Sequence, residues 1–268
     1  MKALSASVRD PLRMSVGTLT ALPVPAPGRI DARVAGRAML LAPLAALPLA
    51  ALACAVVLSG ELIGLPSLVT AALAVGAVGL GCRGLHLDGL ADTADGLSRA
   101  GRAGALGASY DRARALEIMR EGDVGPMGVA TLVLVLLVQV AALSGAIAAG
   151  HGVFAVGVAV LIGRLVLAGC CADGIPAARK DGLGGTVAGT VARWQAGSAL
   201  VAGIVLTSLG AVVVGLPWWQ GALGAMLGVA LACGLLARCV RRLGGITGDV
   251  LGGCVELATV GTLLGLSM

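Results

Sequence analysis

Long apolar runs separated by short charged segments dominate this chain of 268 residues. Most runs are close to the roughly 20 residues that a helix needs to cross a bilayer. Pro43 and Pro48 interrupt the first run, which a membrane bundle tolerates because neighbouring helices cover the freed carbonyls. The last of the runs, at the C-terminal end of the chain, carries Glu256 and is a candidate for a tilted or partly re-entrant segment. Cutting the sequence at its charges gives seven predicted segments: Ala38–Leu58, Leu62–Cys82, Met127–Ala149, Val153–Ala172, Ala196–Leu216, Gly221–Ala237 and Val250–Met268. The pattern predicts an all-α, polytopic integral membrane helical bundle, with residues 1–268 as a single domain.

The basic residues are divided unequally between the connecting segments. Of 19 Lys and Arg residues, 18 fall in segments 1–37, 83–126, 173–195 and 238–249, and the intervening links have none. By the positive-inside rule, the basic segments face the cytoplasm. We therefore expect a multi-pass protein of the bacterial cytoplasmic (inner) membrane, with its polar chemistry in the cytoplasmic loops and helices. Seven full spans place the C-terminus outside, and a re-entrant seventh segment would reverse this.

Composition agrees with a membrane bundle and argues against a nucleic-acid partner. The chain is 58% hydrophobic and 12% charged, outside the range of soluble domains. Its 43 glycines favour close helix contacts, and two pairs, Gly224/Gly228 and Gly261/Gly265, have the GxxxG spacing. Nucleic-acid binding would need aromatic residues beside the basic ones, and aromatic residues make up 2% of the chain.

Three aspartates form the strongest candidate for chemistry. Asp88, Asp92 and Asp95 lie at i, i+4 and i+7 in the stretch RGLHLDGLADTADG, and Arg99 continues their line. On a helix the three carboxylates fall within an arc of roughly 60°. The carboxylates repel one another, and a bound cation would compensate this repulsion. Mg²⁺ is suited to this role because it binds hard oxygen ligands and bridges carboxylates to phosphates. The alternative interpretation is the solvated face of a surface helix.

His86 and Arg164 are harder to assign. If the helix includes His86, its side chain lies about 160° from Asp88 and faces away from the carboxylates. It would reach the site if the helix began after it, as a ligand or a general base; otherwise it packs or caps. Arg164 stands inside an apolar run, where charge is costly, so we expect it to face the bundle interior or the site.

Several cationic residues are candidates for phosphate binding. Arg179 and Lys180 stand beside a glycine run whose amides could cradle an anion, although a flexible connector explains that run equally well. Arg112, in the predicted helix at 110–121, offers a guanidinium matched to phosphate oxygens, or lies on a surface helix. Arg99 is a further candidate.

The start of the seventh segment adds a carboxylate. Thr247 and Asp249 stand where a helix begins, so capping explains them. The alternative is that Asp249 is a fourth metal ligand and that the helix start, with Thr247, faces a phosphate. Glu256 follows Asp249 at i+7 on the same face, which favours this alternative. Together these residues indicate phosphoryl transfer by positioning and charge neutralisation.

Five stretches resemble the adenosylcobinamide-GDP ribazoletransferase (cobalamin synthase) family in order and spacing. They are TALPVP at Thr20–Pro25, GLHLDGLADTADGL at Gly84–Leu97, RALEIMREGDVGPMGV at Arg114–Val129, PAARKDGLG at Pro176–Gly184 and GGITGDVLG at Gly244–Gly252. The Asp-rich stretch is the specific one, and the resemblance covers nearly the whole chain.

The resemblance implies a joining reaction in cobalamin biosynthesis. A hydroxyl of α-ribazole, or of its 5′-phosphate, attacks the cobinamide-linked phosphorus of adenosylcobinamide-GDP, and GMP leaves. It implies that Mg²⁺ is bound by Asp88, Asp92, Asp95 and Asp249, and that Arg179 and Lys180 bind phosphate or GMP. His86 or one of the aspartates accepts the proton of the hydroxyl. The expected partners are these substrates and the lipid bilayer, and a homo-oligomer stays open.

Three rival functions remain at this stage. A membrane prenyltransferase also binds Mg²⁺-pyrophosphate through Asp clusters, but it needs a second Asp-rich motif, and beyond Asp181 the acidic residues are Asp249 and Glu256. An alcohol phosphotransferase would show a different spacing, with an Arg shortly after its first Asp pair. A transporter, the non-enzyme rival, would carry charges deep in several spans.

Overall fold

The computed structural model describes residues 2–100 and 108–268, and the regular secondary structure of these residues consists of helices, without strands. The first seven helices are α1 (Lys2–Leu19), α2 (Ala32–Leu40), α3 (Ala42–Ala45), α4 (Leu47–Leu62), α5 (Ser67–Gly81), α6 (Leu85–Arg99) and α7 (Ala108–Ile118). The remaining six are α8 (Pro126–Ala148), α9 (Gly152–Cys170), α10 (Gly182–Val187), α11 (Arg193–Val213), α12 (Trp218–Leu243) and α13 (Gly248–Leu266). The predicted all-α bundle is confirmed.

Five of the described helices are long and apolar enough to cross a membrane: α8, α9, α11, α12 and α13. The count is six if α5 and α6, which meet at 88°, are taken together as one broken span. Because α6 turns away from the axis of α5 and carries the aspartates, we treat α5 as the membrane-spanning part of this pair. The first predicted segment overlaps the shorter apolar helix α4. Pro43 and Pro48 stand in the first turns of α3 and α4, where a missing N–H costs little.

Helix α13 is the centre of the bundle. Within its apolar stretch, 78% of the residues are buried, and α13 packs against α6, α8, α9 and α12. The two GxxxG pairs face each other. A Cβ atom on Gly261 would lie 2.8 Å from the Cα of Gly228, and one on Gly265 would lie 2.5 Å from the Cα of Gly224. The glycines therefore let α12 and α13 approach at backbone distance, as the spacing predicts.

The two ends of α13 lie at opposite ends of the bundle. Its first turn lies beside α6, whereas the carbonyl of Leu266 in its last turn accepts hydrogen bonds from His151 Nε2 at 2.9 Å and Gln220 Nε2 at 3.0 Å. His151 and Gln220 belong to the links that carry no Lys or Arg, which we call the link end. The opposite end, where α1, α6, α7 and α10 lie, is called the basic end. Helix α13 thus passes through the whole bundle and is not re-entrant.

Candidate functional site

A sharp corner between α5 and α6 creates the site. Arg83 and Gly84 both have left-handed backbones, with φ of 58° and 70°. Glycine adopts this conformation freely, whereas a residue with a Cβ does so at a cost. The corner turns the chain by 88° and sends α6 across the start of α13. Helix α6 begins at Leu85, so His86 belongs to the helix. For a helical His86, the sequence predicts a side chain that faces away from the carboxylates.

Two glycines bring α6 and α13 into backbone contact where they cross. A Cβ atom on Gly89 would lie 2.7 Å from the carbonyl oxygen of Asp249, and one on Gly252 would lie 3.0 Å from the Cα of His86. Because no side chain separates the two backbones, Asp88 on α6 and Asp249 on α13 line one cavity of about 290 Å³. The cavity places the carboxylate predicted at the start of the seventh segment beside the aspartates of α6.

The segment between α9 and α10 contributes Arg179 to the wall of this cavity. The backbone of Ala178 donates to the carbonyl of Ile246 at 2.9 Å, and that of Ile246 donates to the carbonyl of Pro176 at 2.9 Å. This pairing sets Arg179 on the cavity wall, where its Nη2 donates to Asp249 Oδ2 at 3.4 Å. The Nη1 atom of Arg179 is buried and has no hydrogen-bond partner in the described part of the chain. Arg179 therefore keeps a donor available for an anion.

The opposite wall comes from the N-terminal part of the chain. Thr18 and Leu19 at the end of α1, with Met39 on α2, line the cavity. The backbone of Ala21 donates to the carbonyl of Gly81 at 2.7 Å, which ties the segment after α1 to the end of α5. Sequence reasoning did not select these wall residues, because their apolar and small polar side chains carry no signal of chemistry.

Asp92 is half-buried between its acidic neighbours. Burial, together with the carboxylates of Asp88 and Asp249, raises the pKa of Asp92 to about 7. Burial is the largest cause of this raised pKa, and the neighbouring carboxylates add to it because they crowd negative charge along this face of α6. A cation at this face would relieve the crowding.

Asp95 lies apart from the cavity. Its carboxylate is buried and accepts hydrogen bonds from the backbone N–H groups of Gly125 at 2.7 Å and Gly128 at 3.0 Å, at the start of α8. The structure thus gives Asp95 a helix-capping role that the sequence did not predict. A metal-ligand role for Asp95 stays a prediction without geometric support.

A buried polar chain extends from the cavity into the bundle. Arg164 is 1% exposed, and its Nη2 lies 3.2 Å from Nδ1 of His86, a residue that lines the cavity. Arg164 and Glu256 both line a small internal cavity, and Gln139 donates to Glu256 Oε2 at 2.7 Å. The interior position expected for Arg164 is confirmed. Gln139 was missed, although an amide within an apolar run is a visible signal.

The remaining candidates lie at or beyond the rim. Thr247 caps α13: its Oγ1 accepts from the backbone of Val250 at 3.2 Å and donates to Asp249 Oδ2 at 3.1 Å. Lys180 is exposed next to Arg179. Arg112 rests against Gly244 at the end of α12, and Arg99 lines a separate groove with Asp95. The cavity therefore unites Asp88, Asp249, Arg179 and His86, but not Arg112 or Arg99.

The donor set suits a divalent cation that is shared with a substrate. Within the described ranges, no three His, Cys, Asp or Glu side chains lie close enough to hold a metal ion by themselves. Mg²⁺ does not require three, because it is commonly held by one or two carboxylates and by substrate phosphates. Asp88 and Asp249 in the cavity and the crowded Asp92 beside them match this pattern.

Comparisons with known proteins show which family the chain resembles over nearly its whole length. The model of the cobalamin-5-phosphate synthase family matches residues 11–267. Proteins named adenosylcobinamide-GDP ribazoletransferase are similar over 96% of this chain: one from Nocardioides sp. is 45% identical over 257 residues, and one from Frankia casuarinae is 40% identical over 271 residues. These alignments cover 98% and 94% of the two relatives. A third, from Pseudomonas fluorescens, is 38% identical over 260 residues, 99% of its length. No solved structure matches the chain.

Proposed function

Because the chain belongs to the cobalamin-5-phosphate synthase family, we propose that it is an adenosylcobinamide-GDP ribazoletransferase. It joins adenosylcobinamide-GDP to α-ribazole, or to α-ribazole 5′-phosphate, and releases GMP. The observation that carries the proposal is the family match over residues 11–267. The cavity at the α6–α13 crossing is consistent with it, because it contains two carboxylates and an arginine N–H donor without a partner in the described part of the chain.

The reaction is a displacement at phosphorus. A hydroxyl oxygen of α-ribazole forms a bond to the cobinamide-linked phosphorus, while the bond from that phosphorus to the oxygen of GMP breaks. The chemistry needs alignment of the two substrates and stabilisation of negative charge on the phosphoryl and leaving oxygens. The unpartnered Nη1 of Arg179 is available to donate to such an oxygen. The hydroxyl proton passes to an acceptor at the cavity, where carboxylates and His86 stand.

Asp88, Asp92 and Asp249 would hold Mg²⁺ together with the pyrophosphate of the substrate. Bound there, Mg²⁺ neutralises charge on the pyrophosphate and on the leaving phosphate. Two observations support this assignment: the crowded acidic groups at Asp92, and hard oxygen donors from two helices lining one cavity. Lys180, which is exposed next to Arg179, would bind phosphate or the leaving GMP.

We place this site on the cytoplasmic face of the bacterial inner membrane. The cavity lies at the basic end of the bundle, together with the segments that hold 18 of the 19 Lys and Arg residues. The positive-inside rule assigns that end to the cytoplasm. The charged substrates then meet the site without crossing the bilayer.

The proposal is tested by incubating membranes that contain the overproduced chain with adenosylcobinamide-GDP and α-ribazole, with Mg²⁺ or with a chelator. We expect GMP release and a cobalamin product, detected by liquid chromatography and mass spectrometry, when Mg²⁺ is present and not when it is chelated. Membranes that form no product under any divalent ion would contradict the proposed activity.

The matched variants are Asp92→Asn and Asp173→Asn. Asp92→Asn should lower GMP release by at least about 100-fold, because it removes a carboxylate that would hold Mg²⁺ at the pyrophosphate. Asp173 is an exposed aspartate at the basic end outside the cavity, and its substitution should leave the rate unchanged. Product formation by wild-type membranes together with a near-normal rate for Asp92→Asn would contradict the metal assignment but not the activity.

A further inference from the structure

The contact between Arg164 and His86 determines where the imidazole carries its proton. Arg164 Nη2 lies 3.2 Å from His86 Nδ1. A guanidinium has five N–H donors and no acceptor, so Nδ1 must be the acceptor in this hydrogen bond. An Nδ1 atom that accepts carries no proton, and the neutral ring then has its proton on Nε2. In a doubly protonated imidazolium, the N–H at Nδ1 of His86 would face the N–H at Nη2 of Arg164, and neither could accept a hydrogen bond.

The buried surroundings hold Arg164 in this role. Arg164 is 1% exposed and stands on α9, whose neighbour α13 contributes Glu256 to the same internal cavity of about 20 Å³. Gln139 on α8 donates to Glu256 at 2.7 Å and fixes the orientation of that carboxylate. An arginine side chain keeps its proton in a protein, and Glu256, which lines the same cavity, offsets the buried charge of Arg164. Arg164 is therefore a fixed donor to His86.

His86 occupies the junction between this buried chain and the reaction cavity. It is 5% exposed and lines the cavity together with Asp88, Arg179 and Asp249. With Nδ1 committed to Arg164, the ring keeps one N–H donor, at Nε2, and has no free acceptor. A general base needs a free acceptor within reach of the proton that it removes.

We propose that Arg164 is a positioning residue that fixes His86 as a neutral hydrogen-bond donor at Nε2, toward a phosphate oxygen of the substrate. His86 is then not the base of the reaction, and the hydroxyl proton goes to a carboxylate. The inference rests on the proposed function for the identity of the substrate, but the protonation pattern of His86 does not depend on it.

Nitrogen NMR tests the protonation pattern without substrate. His86 and His151 are the two histidines of the chain, so protein labelled with ¹⁵N-histidine gives two imidazole patterns. His151→Gln assigns them, because glutamine can still donate to Leu266 at the link end. We expect a pyridine-type Nδ1 and a pyrrole-type Nε2 for His86. A protonated Nδ1 in the wild-type protein would overturn the inference.

The double variant Arg164→Met, Glu256→Gln tests the source of the pattern, since it removes the guanidinium without leaving an unpaired buried carboxylate. We expect the His86 resonances to shift toward a mixture of both tautomers. Resonances unchanged in a folded double variant would show that Arg164 does not fix the ring. If the double variant does not fold, the wild-type spectrum still decides the proposal.

The transferase activity of two His86 variants distinguishes a hydrogen-bond donor from a general base. Glutamine carries an amide N–H with a reach similar to that of Nε2, and its carbonyl can accept from Arg164, so His86→Gln should retain GMP release within about 10-fold of wild type. His86→Ala should lose about 100-fold. Loss of a general base costs about 10²–10⁴-fold with either substitution. Equal loss in the two variants would therefore overturn the donor role, whereas a wild-type protein without transferase activity would instead contradict the proposed function.

Discussion

At the residue scale, Asp95 is the clearest case of a side chain whose role follows from its neighbours. We expect Asp95→Ala to destabilise the protein, because it leaves the buried N–H groups of Gly125 and Gly128 without an acceptor. The cost of such groups is about 1–3 kcal/mol. Thermal unfolding of the detergent-solubilised protein should show a Tm lower by roughly 2–12 °C.

The control for this measurement is Asp173→Ala, which removes an exposed aspartate and should leave Tm unchanged. Asp95→Asn should fall between the two, since its amide oxygen still accepts one hydrogen bond. If Asp95→Ala keeps the wild-type Tm and loses GMP release, the capping interpretation is wrong and Asp95 belongs with the ion-binding carboxylates.

The difference between Asp88 and Asp95 also marks how far helical periodicity can predict a site. Spacing at i and i+7 correctly places the two carboxylates on one face of α6. The same spacing separates them by about 10 Å along the helix axis. Asp88 therefore meets the start of α13, whereas Asp95 meets the start of α8. The partner of a side chain depends on which helix crosses at its level, and local sequence does not contain that information.

His86 also shows that helical periodicity alone does not predict which residues line the cavity. The angular argument predicts that a helical His86 faces away from the carboxylates, and the structure directs its Nδ1 into the bundle toward Arg164. It nevertheless lines the cavity, because Gly252 brings α13 close to the backbone of His86 and the crossing encloses this side of α6. A rotation angle describes an isolated helix, whereas a cavity is shaped by three or four helices.

At the element scale, the contact between α12 and α13 depends on bare backbone. We expect Gly228→Ala to destabilise the bundle, since the added Cβ would lie 2.4 Å from Thr262 Oγ1 and 2.6 Å from the carbonyl oxygen of Ala258. Overpacking of this kind costs about 1–3 kcal/mol. The measurement is the Tm of the solubilised variant.

Gly234→Ala is the matched control, because Gly234 lies on the same helix with open space around its Cβ position. Alanine is intrinsically about 1 kcal/mol better than glycine within a helix, so this variant should be neutral or more stable. Equal Tm values for Gly228→Ala and Gly234→Ala would show that the close approach of the two helices does not matter.

The apolar runs predicted where helices lie but not where they bend. Hydropathy located the segments because a helix that crosses a bilayer must be apolar along its length. The 88° corner at Arg83 and Gly84 was not predicted, since a glycine beside an arginine is common and a left-handed backbone at Arg83 is set by packing. Yet this corner carries α6 across α13 and brings Asp88 to Asp249, so the decisive feature of the site was the least visible in the sequence.

At the scale of the whole molecule, charge and helix direction are two independent guides to orientation. The basic residues gather at the end that contains the cavity, and α13 runs from that end to the link end. Both Met268 and the link at Ala149 therefore belong on the side of the membrane opposite to the cavity. The glycine-rich interior lets α13 stand at the centre of the bundle, with Asp249 at its start and the buried Glu256 further along.

The orientation leads to a prediction for cysteine labelling in intact cells. Ala149→Cys and Met268→Cys, both at exposed positions, should react with a membrane-impermeant maleimide from outside. Glu117→Cys, exposed on α7 at the basic end, should react only after the membrane is permeabilised. The parent chain with its seven native cysteines measures the background. The opposite labelling pattern would place the cavity outside the cell, and labelling of Met268→Cys on the side of Glu117→Cys would mean that α13 does not cross the membrane.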